Sequence, residues 1–205
     1  MFKKFASENI VLFDGAMGTS IQNFDIGEDI WQEKSGCSEW LNIAAPEIIE
    51  SIHRSYLEAG ADVVETNTFG GTELVMREYG LEDMVDELNL RGAEIAVKVA
   101  REYGRFAAGS IGPGTRLPSL GQISFDDMHH MYCRQAGVLI DGGVDLFIIE
   151  TCQDLLQVKA ALLGVYDAMK QKGADLSVMV SVTVESTGSM LMGTDLSAVC
   201  AVMSS

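Results

Sequence analysis

Short apolar runs alternate along the chain with longer segments of helical periodicity. Each apolar run stops at a polar or glycine residue, which is typical of a buried strand that leads into a turn. The predicted strands are Ile10–Phe13, Asp62–Glu65, Phe106–Ser110, Leu146–Ile149 and Val178–Val182. Because these runs are nearly continuous, we expect parallel strands that are buried on both faces.

The segments between the strands carry apolar residues three and four positions apart, as amphipathic helices do. The predicted helices cover residues 1–9, 46–60, 73–79, 82–103, a segment that begins near Ser124, residues 154–172 and a last segment after Thr194 or Asp195. Ile21–Trp40 is predicted as a long loop. It either carries function or packs as a lid on one end of the fold.

Helical geometry predicts where the three histidines lie. His53 lies off the apolar stripe of its helix, so we expect it to face solvent. His129 and His130 are adjacent and point about 100° apart on a helix, so they cannot share a metal ion and are expected at the surface.

Alternation of strands and helices predicts an α/β fold. Polar residues at the strand ends favour a (β/α)8 barrel, whose sites lie at the carboxyl ends of its strands. A doubly wound open sheet is the alternative, but Gly15–Gly18 lacks the spacing of a dinucleotide-binding turn. The chain holds five βα units, so we expect residues 1–205 to form the N-terminal part of a single barrel, without the sixth to eighth strands.

Charge and cysteine usage exclude several classes of function. The formal net charge is −16, which disfavours nucleic acid and anionic membrane surfaces as partners. Apolar runs are all shorter than the roughly 18 residues of a membrane span, and the N-terminus lacks the apolar stretch of a signal peptide. Cys37, Cys133, Cys152 and Cys200 form no CxxC pair, and most of them are predicted to be ordinary buried or half-buried thiols outside any disulfide framework. These features predict a cytoplasmic protein.

Four segments resemble the homocysteine S-methyltransferase family, in the same order and across essentially the whole chain. They are Asp14–Thr19, Glu65–Phe69, Gly109–Pro113 and Glu150–Thr151. The second of them favours the cobalamin-dependent branch, the N-terminal homocysteine-binding module of the methionine synthases, over branches that use betaine or S-methylmethionine. The resemblance implies a TIM barrel and a zinc ion held by three cysteine thiolates. It also implies methylcobalamin as the methyl donor, carried on a corrinoid-binding domain or protein.

The zinc-binding motifs of the family do not occur in this sequence. They are a Gly-x-Asn-Cys segment after strand six and a Gly-Gly-Cys-Cys turn after strand eight, and Cys200 lies in a helix pattern before strand six would begin. The zinc-binding cysteines are therefore expected beyond Ser205, and no metal ligand is assigned in this chain. We expect the chain alone to bind zinc weakly or not at all, to be inactive, and to self-associate through open sheet edges.

The resemblance makes homocysteine the expected substrate, with an ammonium, a carboxylate and a thiol to be recognised. Glu150, at a strand end, is the candidate for the ammonium, and the resemblance indicates the same residue. Backbone N–H groups of Gly15, Ala16, Met17 and Gly18 are candidates for the carboxylate, or form a plain tight turn. No residue is assigned a catalytic role.

Further strand-end residues complete the predicted site. Asp14 either orients the glycine-rich turn or helps to hold the ammonium. Glu65, Thr66 and Asn67 are expected on the pocket floor, although Glu65 is equally well explained as a structural hydrogen-bond hub. Ser110 and Thr183 are weaker candidates.

Three functions stay open on the sequence. The first is a homocysteine methyltransferase whose metal-binding half is not seen. The second is a non-catalytic module that binds an amino acid or a partner. The third is an unrelated barrel enzyme that uses Glu65 and Glu150 as an acid–base pair.

Overall fold

A four-stranded parallel sheet forms the centre of the protein, whose computed structural model describes residues 1–203. The strands are β1 (Val63–Glu65), β2 (Phe106–Ile111), β3 (Leu146–Cys152) and β4 (Ser177–Val182), hydrogen-bonded in the order β1-β2-β3-β4. A doubly wound sheet reverses its strand order at a switch point, whereas a barrel wall keeps the sequence order seen here. The predicted α/β fold of barrel type is confirmed, and within the described residues the barrel is open.

Ser204 and Ser205 lie outside the described residues. Two expectations from the sequence concern this end of the chain. The sequence predicts one incomplete barrel domain over residues 1–205, and it places the zinc-binding cysteines of the family beyond Ser205. The described residues test neither expectation, so both stay predictions.

Ten α-helices accompany the sheet within the described residues, and the long ones that join its strands pack on the outer face. In chain order they are α1 (Phe2–Glu8), α2 (Met17–Ile21), α3 (Glu28–Trp31), α4 (Leu41–Ala44), α5 (Pro46–Glu58), α6 (Glu73–Met76), α7 (Val85–Glu102), α8 (Phe125–Asp141), α9 (Leu155–Lys172) and α10 (Leu196–Met203). Short 3-10 helices lie at Ser38–Trp40, Arg77–Tyr79, Glu82–Met84 and Pro118–Leu120. Across residues 1–203, none of the helices combines the length and apolar character needed to cross a bilayer.

Side-chain caps fix the starts of the two long helices that follow β2 and β3. Ser124 Oγ accepts a hydrogen bond from the Asp127 N–H at 3.1 Å, and Asp154 Oδ1 accepts one from the Leu156 N–H at 2.9 Å. Such caps satisfy N–H groups that have no partner within the helix. The predicted starts of α8 and α9 are thereby confirmed.

The first predicted strand is largely wrong. Of Ile10–Phe13, only Phe13 forms a β-bridge, with Val63 of β1. The Leu12 N–H donates to Asp62 Oδ2 at 3.0 Å, so a side chain replaces the backbone acceptor of a regular ladder. Ile10 is 90% exposed and Leu12 is 56% exposed, so this segment is not a fully buried strand. An apolar run in the sequence predicts burial, but it cannot show whether another element covers the outer side of the segment. Among the described residues, nothing covers it.

His53 also departs from the prediction, because its side chain is fully buried rather than solvent-facing. It lies on the side of α5 that packs against α7, between two ion pairs that join these helices, Glu50–Lys98 and Arg54–Glu102. Within residues 1–203 neither ring nitrogen has a hydrogen-bond partner. Burial lowers the pKa of His53 to about 4, so the ring is neutral at physiological pH.

The sheet separates two apolar clusters. The larger one lies between the sheet and helices α8 and α9, and includes Phe147, Ile149 and Tyr132. The smaller one lies on the inner face of the sheet, where Phe2 and Phe5 of α1 contact Phe106 at the amino end of β2. Helix α1 therefore covers the amino end of the inner face and leaves the carboxyl end free for a site.

Burial on both faces holds for the middle of the sheet but not for its last strand. All six residues of β2 are buried. In β4, by contrast, Met179 is 38% exposed, because β4 lies at an edge of the sheet. Part of the apolar run of β4 is therefore exposed, because none of the described residues covers this edge of the sheet.

Short helices interrupt the segment that the sequence predicts as one long loop. Helix α3 and the 3-10 helix Ser38–Trp40 lie within Ile21–Trp40. Trp40 Nε1 donates a hydrogen bond to the Ile30 backbone oxygen at 2.9 Å, which ties the two together. This segment continues to the mouth of the cavity described next.

Candidate functional site

A cavity of about 460 Å³ lies at the carboxyl ends of the strands. Its lining residues are Asp14, Gly15, Ala16, Met17, Gly18, Ser38, Glu65, Thr66, Asn67, Phe69, Ser110 and Glu150. All residues predicted for the site line this one cavity except the weaker candidate Thr183, because the carboxyl ends of neighbouring parallel strands meet at one edge. Their part in ligand binding stays a prediction.

Asp14 joins the first segment of the chain to β1. Its backbone N–H donates to the Val63 oxygen at 3.0 Å, and its Oδ2 accepts from the Glu65 N–H at 3.0 Å. The side chain is half-buried in the cavity wall. Burial, with a smaller contribution from the charge of Glu150, raises the pKa of Asp14 to about 7.

Glu65 and Glu150, on β1 and β3, line the same cavity and lie close enough for each to affect the pKa of the other. Ser110 Oγ, on the strand between them, donates a hydrogen bond to Glu150 Oε1. Burial raises the pKa of both glutamates, and the charges of Glu150 and Asp14 raise that of Glu65 further. Because two neighbouring carboxylates repel each other when both are charged, the pair favours holding one proton.

The cavity is acidic and has no compensating cation among the described residues. Three carboxyl groups line it, and none of its lining residues is Lys, Arg or His. Like charges in one low-dielectric site repel each other, and a bound cation relieves that repulsion. The electrostatics of the site therefore favour a ligand with a positively charged group.

The described residues do not fit a zinc site. Within residues 1–203 there is no group of three or more His, Cys, Asp or Glu side chains arranged to hold a metal ion. The four cysteines form no disulfide within residues 1–203. Burial raises the pKa of the Cys37 and Cys152 thiols to about 12, which disfavours the thiolate form that zinc binds.

The glycine-rich segment is only partly the turn expected from the sequence. Met17 and Gly18 form the first residues of α2, and Ala16 caps it. The backbone N–H groups of Gly15 and Ala16 make no hydrogen bond to any described residue. The first N–H groups of a helix likewise have no partner inside it, so this segment offers several adjacent donors to a ligand.

Tyr56 of α5 holds this segment in place. Its hydroxyl donates to the Ala16 oxygen at 3.1 Å. A Cβ atom at Gly15 would lie only 3.0 Å from the Tyr56 ring, so this position needs glycine for close approach. Gly18 has open space around it and ordinary helical backbone, so the expectation that both glycines serve a tight turn is wrong for Gly18.

Asn67 lies at the cavity, but its side-chain nitrogen is engaged elsewhere. It donates to the Ser38 backbone oxygen at 2.7 Å and to Asn42 Oδ1 at 2.9 Å. Asn67 therefore fastens the Ser38 segment to the end of β1. Its nitrogen is therefore not available to a ligand.

The side chain of Glu65, by contrast, faces the cavity close to Glu150. This supports a role of Glu65 in the pocket over a purely structural role as a hydrogen-bond hub.

Sequence reasoning missed the contributions of Ser38, Phe69 and Tyr56. Ser38 lies in the predicted loop, and no periodicity marks it. Phe69 stands in one of the four family-like segments, which was a signal that it lies near the site. Tyr56 reads in the sequence as one more apolar position of its helix, and only the structure shows that its hydroxyl reaches Ala16.

A family model described as homocysteine S-methyltransferase matches residues 11–205. Methionine synthase of Mycobacterium leprae is 44% identical over 200 residues, which are 95% of this chain and 17% of that protein. Methionine synthase of Mycobacterium tuberculosis is 44% identical over 197 residues, 94% of this chain and 16% of that protein. The chain thus spans about a sixth of the length of these curated relatives.

Solved structures of a homocysteine methyltransferase, MmuM from Escherichia coli, share the fold. The metallated form superposes with a TM-score of 0.80 at 21% identity, covering 99% of this chain and 73% of that one. The oxidized form gives a TM-score of 0.74 at 22% identity, with 95% and 69% covered. At this identity the likeness establishes the fold and nothing further about the site.

Proposed function

Because this chain belongs to the homocysteine S-methyltransferase family, we propose that its strand-end cavity binds homocysteine as the acceptor of a methyl group. The observation that supports the proposal most strongly is the meeting of three carboxyl groups and a row of free backbone N–H groups in one cavity. An amino acid zwitterion carries the two complementary charges, an ammonium and a carboxylate.

Glu150 is the proposed partner of the ammonium. Ser110 fixes one of its oxygens by a hydrogen bond, and Glu150 and Glu65 line the same cavity. An ammonium placed among Asp14, Glu65 and Glu150 would favour their charged forms, so the proton held by the pair would leave as the ligand binds. Charge-assisted hydrogen bonds of this kind are shorter and stronger than neutral ones.

The ligand carboxylate is proposed to bind the backbone N–H groups of Gly15, Ala16, Met17 and Gly18. Convergent backbone donors form concave sites for anions. Tyr56 keeps these donors in position by its hydrogen bond to Ala16, so the segment does not need to reorganise on binding. This arrangement leaves the third functional group of homocysteine, the thiol, directed out of the carboxyl cluster.

The methyl donor and the metal are proposed from the resemblance alone. It implies methylcobalamin on a corrinoid-binding domain or protein as the donor, and zinc as the group that favours the thiolate. The described residues offer no site for zinc. We therefore propose that the isolated chain binds homocysteine without transferring a methyl group. Zinc that stays bound in equimolar amount through dialysis, measured by elemental analysis, would contradict this.

Isothermal titration of homocysteine into the chain tests the proposal. Glu150→Gln keeps the size of the side chain and removes its charge, and we expect it to weaken binding at least about tenfold, as removal of one partner of a buried charge pair does. Glu185→Gln is the matched control, because Glu185 is an exposed glutamate outside the cavity lining. No binding by the unaltered chain, or equal effects of the two substitutions, would contradict the proposal.

We also propose a cytoplasmic location and self-association of the chain. The lack of a disulfide among the cysteines of residues 1–203 supports the first proposal, since disulfides are rare in the cytosol. The exposed Met179 on the edge strand β4 supports the second, because open strand edges pair with other chains. Light scattering that shows a monomer at high concentration would contradict self-association.

A further inference from the structure

Strand β3 carries an irregularity directly after Glu150. Ile149 pairs with Val180 and Cys152 pairs with Val182, so β3 has one residue more than β4 over this interval. The backbone φ of Thr151 is +55°, in the left-handed region. A β-branched residue rarely adopts this conformation, and an extra residue of this kind is a β-bulge.

Two hydroxyl groups hold the bulge in place, one on β4 and one on the residue directly after β4. The Thr151 N–H donates to Ser181 Oγ at 2.9 Å, and Thr183 Oγ1 donates to the Thr151 oxygen at 3.1 Å. The regular ladder resumes where the Thr183 N–H donates to the Cys152 oxygen at 2.9 Å. Thus both backbone groups that the bulge removes from the ladder have side-chain partners, as a strained conformation needs in order to persist.

The bulge sets the course of β3 directly after Glu150. Glu150 faces the cavity, against Ser110 of β2, by ordinary alternation after Ile149. Ile149 and Cys152 both belong to the cluster on the outer face, although three positions separate them and strict alternation would place them on opposite faces. The extra residue Thr151, next to Glu150, absorbs this change of phase and returns Cys152 to the outer core.

We propose that Thr151, Ser181 and Thr183 are positioning residues that direct the Glu150 carboxylate at the ammonium of the ligand. They thereby set the preference of the site for an α-amino acid over the same molecule without its amino group. The inference rests on the proposed function. None of the three residues belongs to the described cavity lining, so they act through Glu150 and not by contact with the ligand.

The test separates this role from simple support of the sheet edge. The affinities of homocysteine and of 4-sulfanylbutanoate, which lacks the amino group, are measured by calorimetry on the chain and its variants. A substitution that only loosens the edge weakens both ligands alike. A substitution that misdirects Glu150 lowers the ratio of the two affinities.

Ser181→Ala removes one hydroxyl partner, and Ser177→Ala is the control on the same strand, because the Ser177 side chain has no hydrogen bond to a described residue. We expect the unaltered chain to prefer homocysteine by at least about tenfold and Ser181→Ala to lower this preference several-fold, as loss of a well-placed charged contact does. Thr151→Gly keeps the backbone conformation without strain and should keep the preference. In a Glu150→Gln background, Ser181→Ala should have no further effect.

Thr183→Val and Thr183→Ser provide a second pair, which keeps the test decisive if Ser181→Ala does not fold by circular dichroism. Only the serine variant keeps the hydroxyl, so only it should keep the preference. An unchanged ratio in both Ser181→Ala and Thr183→Val, or an equal loss for the two ligands, would overturn the positioning role and leave the proposed function intact. A chain that shows no preference for homocysteine would overturn the proposed function, and the inference with it.

Discussion

Asp14 Oδ2 accepts a hydrogen bond from the backbone N–H of Glu65, with 3.0 Å between the two atoms. One carboxyl group thus serves two purposes. It attaches the segment before the glycine-rich turn to β1, where only a single β-bridge forms among the described residues, and it contributes a third acid to the cavity. The two purposes can be separated by substitution.

We predict that Asp14→Asn keeps the attachment and loses the charge. The Asn side-chain oxygen can still accept a hydrogen bond from the Glu65 N–H. A carboxylate with a raised pKa costs stability above that pKa, so loss of this charge should leave the free energy of unfolding at pH 8 equal or raise it. Asp14→Ala should instead lower it by about 1–3 kcal/mol, since the Glu65 N–H loses its partner. Urea unfolding measures both, and equal losses in the two variants would contradict the separation.

Homocysteine binding should depend on pH and release a proton. The pKa of Asp14 is about 7 and those of Glu65 and Glu150 are raised, so part of the cluster is protonated in the empty site at pH 6. The ammonium favours the charged carboxylates, so affinity should rise about tenfold between pH 6 and 8 if one proton is released. Calorimetry in phosphate and in Tris buffer gives the proton count, and heats that do not differ between buffers would contradict it.

His53 should limit stability in acid. Its pKa is lowered to about 4 from an ordinary 6.5, so the native state binds fewer protons than the unfolded chain between these values, and stability is lost as pH falls through them. The shift corresponds to about 3 kcal/mol at full protonation. We expect His53→Leu to remove this loss and to raise the free energy of unfolding at pH 7.5 by about 1 kcal/mol or more, since two unpaired ring nitrogens leave the interior.

His130→Leu is the control for His53, because His130 is exposed and its substitution should leave the acid dependence unchanged. Urea unfolding at pH 7.5 and pH 5 compares the variants. If His53→Leu kept the full acid dependence of the unaltered chain, the loss would have to come from other groups.

Two helical glycines should respond in opposite directions to alanine. A Cβ atom at Gly164 of α9 would lie 2.8 Å from the Cys133 nitrogen and 2.9 Å from the His129 oxygen, both in the backbone of α8. We expect Gly164→Ala to destabilise the fold by about 1–3 kcal/mol, as overpacking does. At Gly137 of α8 the nearest atom would be Lys172 Cε at 3.7 Å, so Gly137→Ala should stabilise it by up to about 1 kcal/mol. Thermal or urea unfolding of both variants gives the comparison, and equal effects would contradict the close approach of the two helices.

The position of the site could be predicted from the sequence because it follows from topology. Asp14, Glu65 and Glu150 each end an apolar run, and parallel strands bring such ends to one edge of the sheet. No knowledge of side-chain packing was needed for this step. The family-like segments added the expected identity of the ligand.

Features that depend on packing between distant residues could not be predicted. The burial of His53 depends on which side of α5 meets α7, and its own helix pattern places it off the apolar stripe. The engagement of Asn67 by Ser38 and Asn42 joins three segments of the chain. The loss of regular pairing before Asp14 depends on the Asp62 side chain, which takes the place of a backbone acceptor.

Helix α1 has a practical consequence for handling the protein. Its Phe2 and Phe5 lie against Phe106, and Lys3 pairs with Asp175 just before β4, at the end of the sheet opposite the cavity. The amine groups of Lys3 and Lys4 therefore offer points for a fluorophore or for immobilisation on a sensor chip. A molecule tethered there presents the open side of its cavity to the solution that flows over the chip.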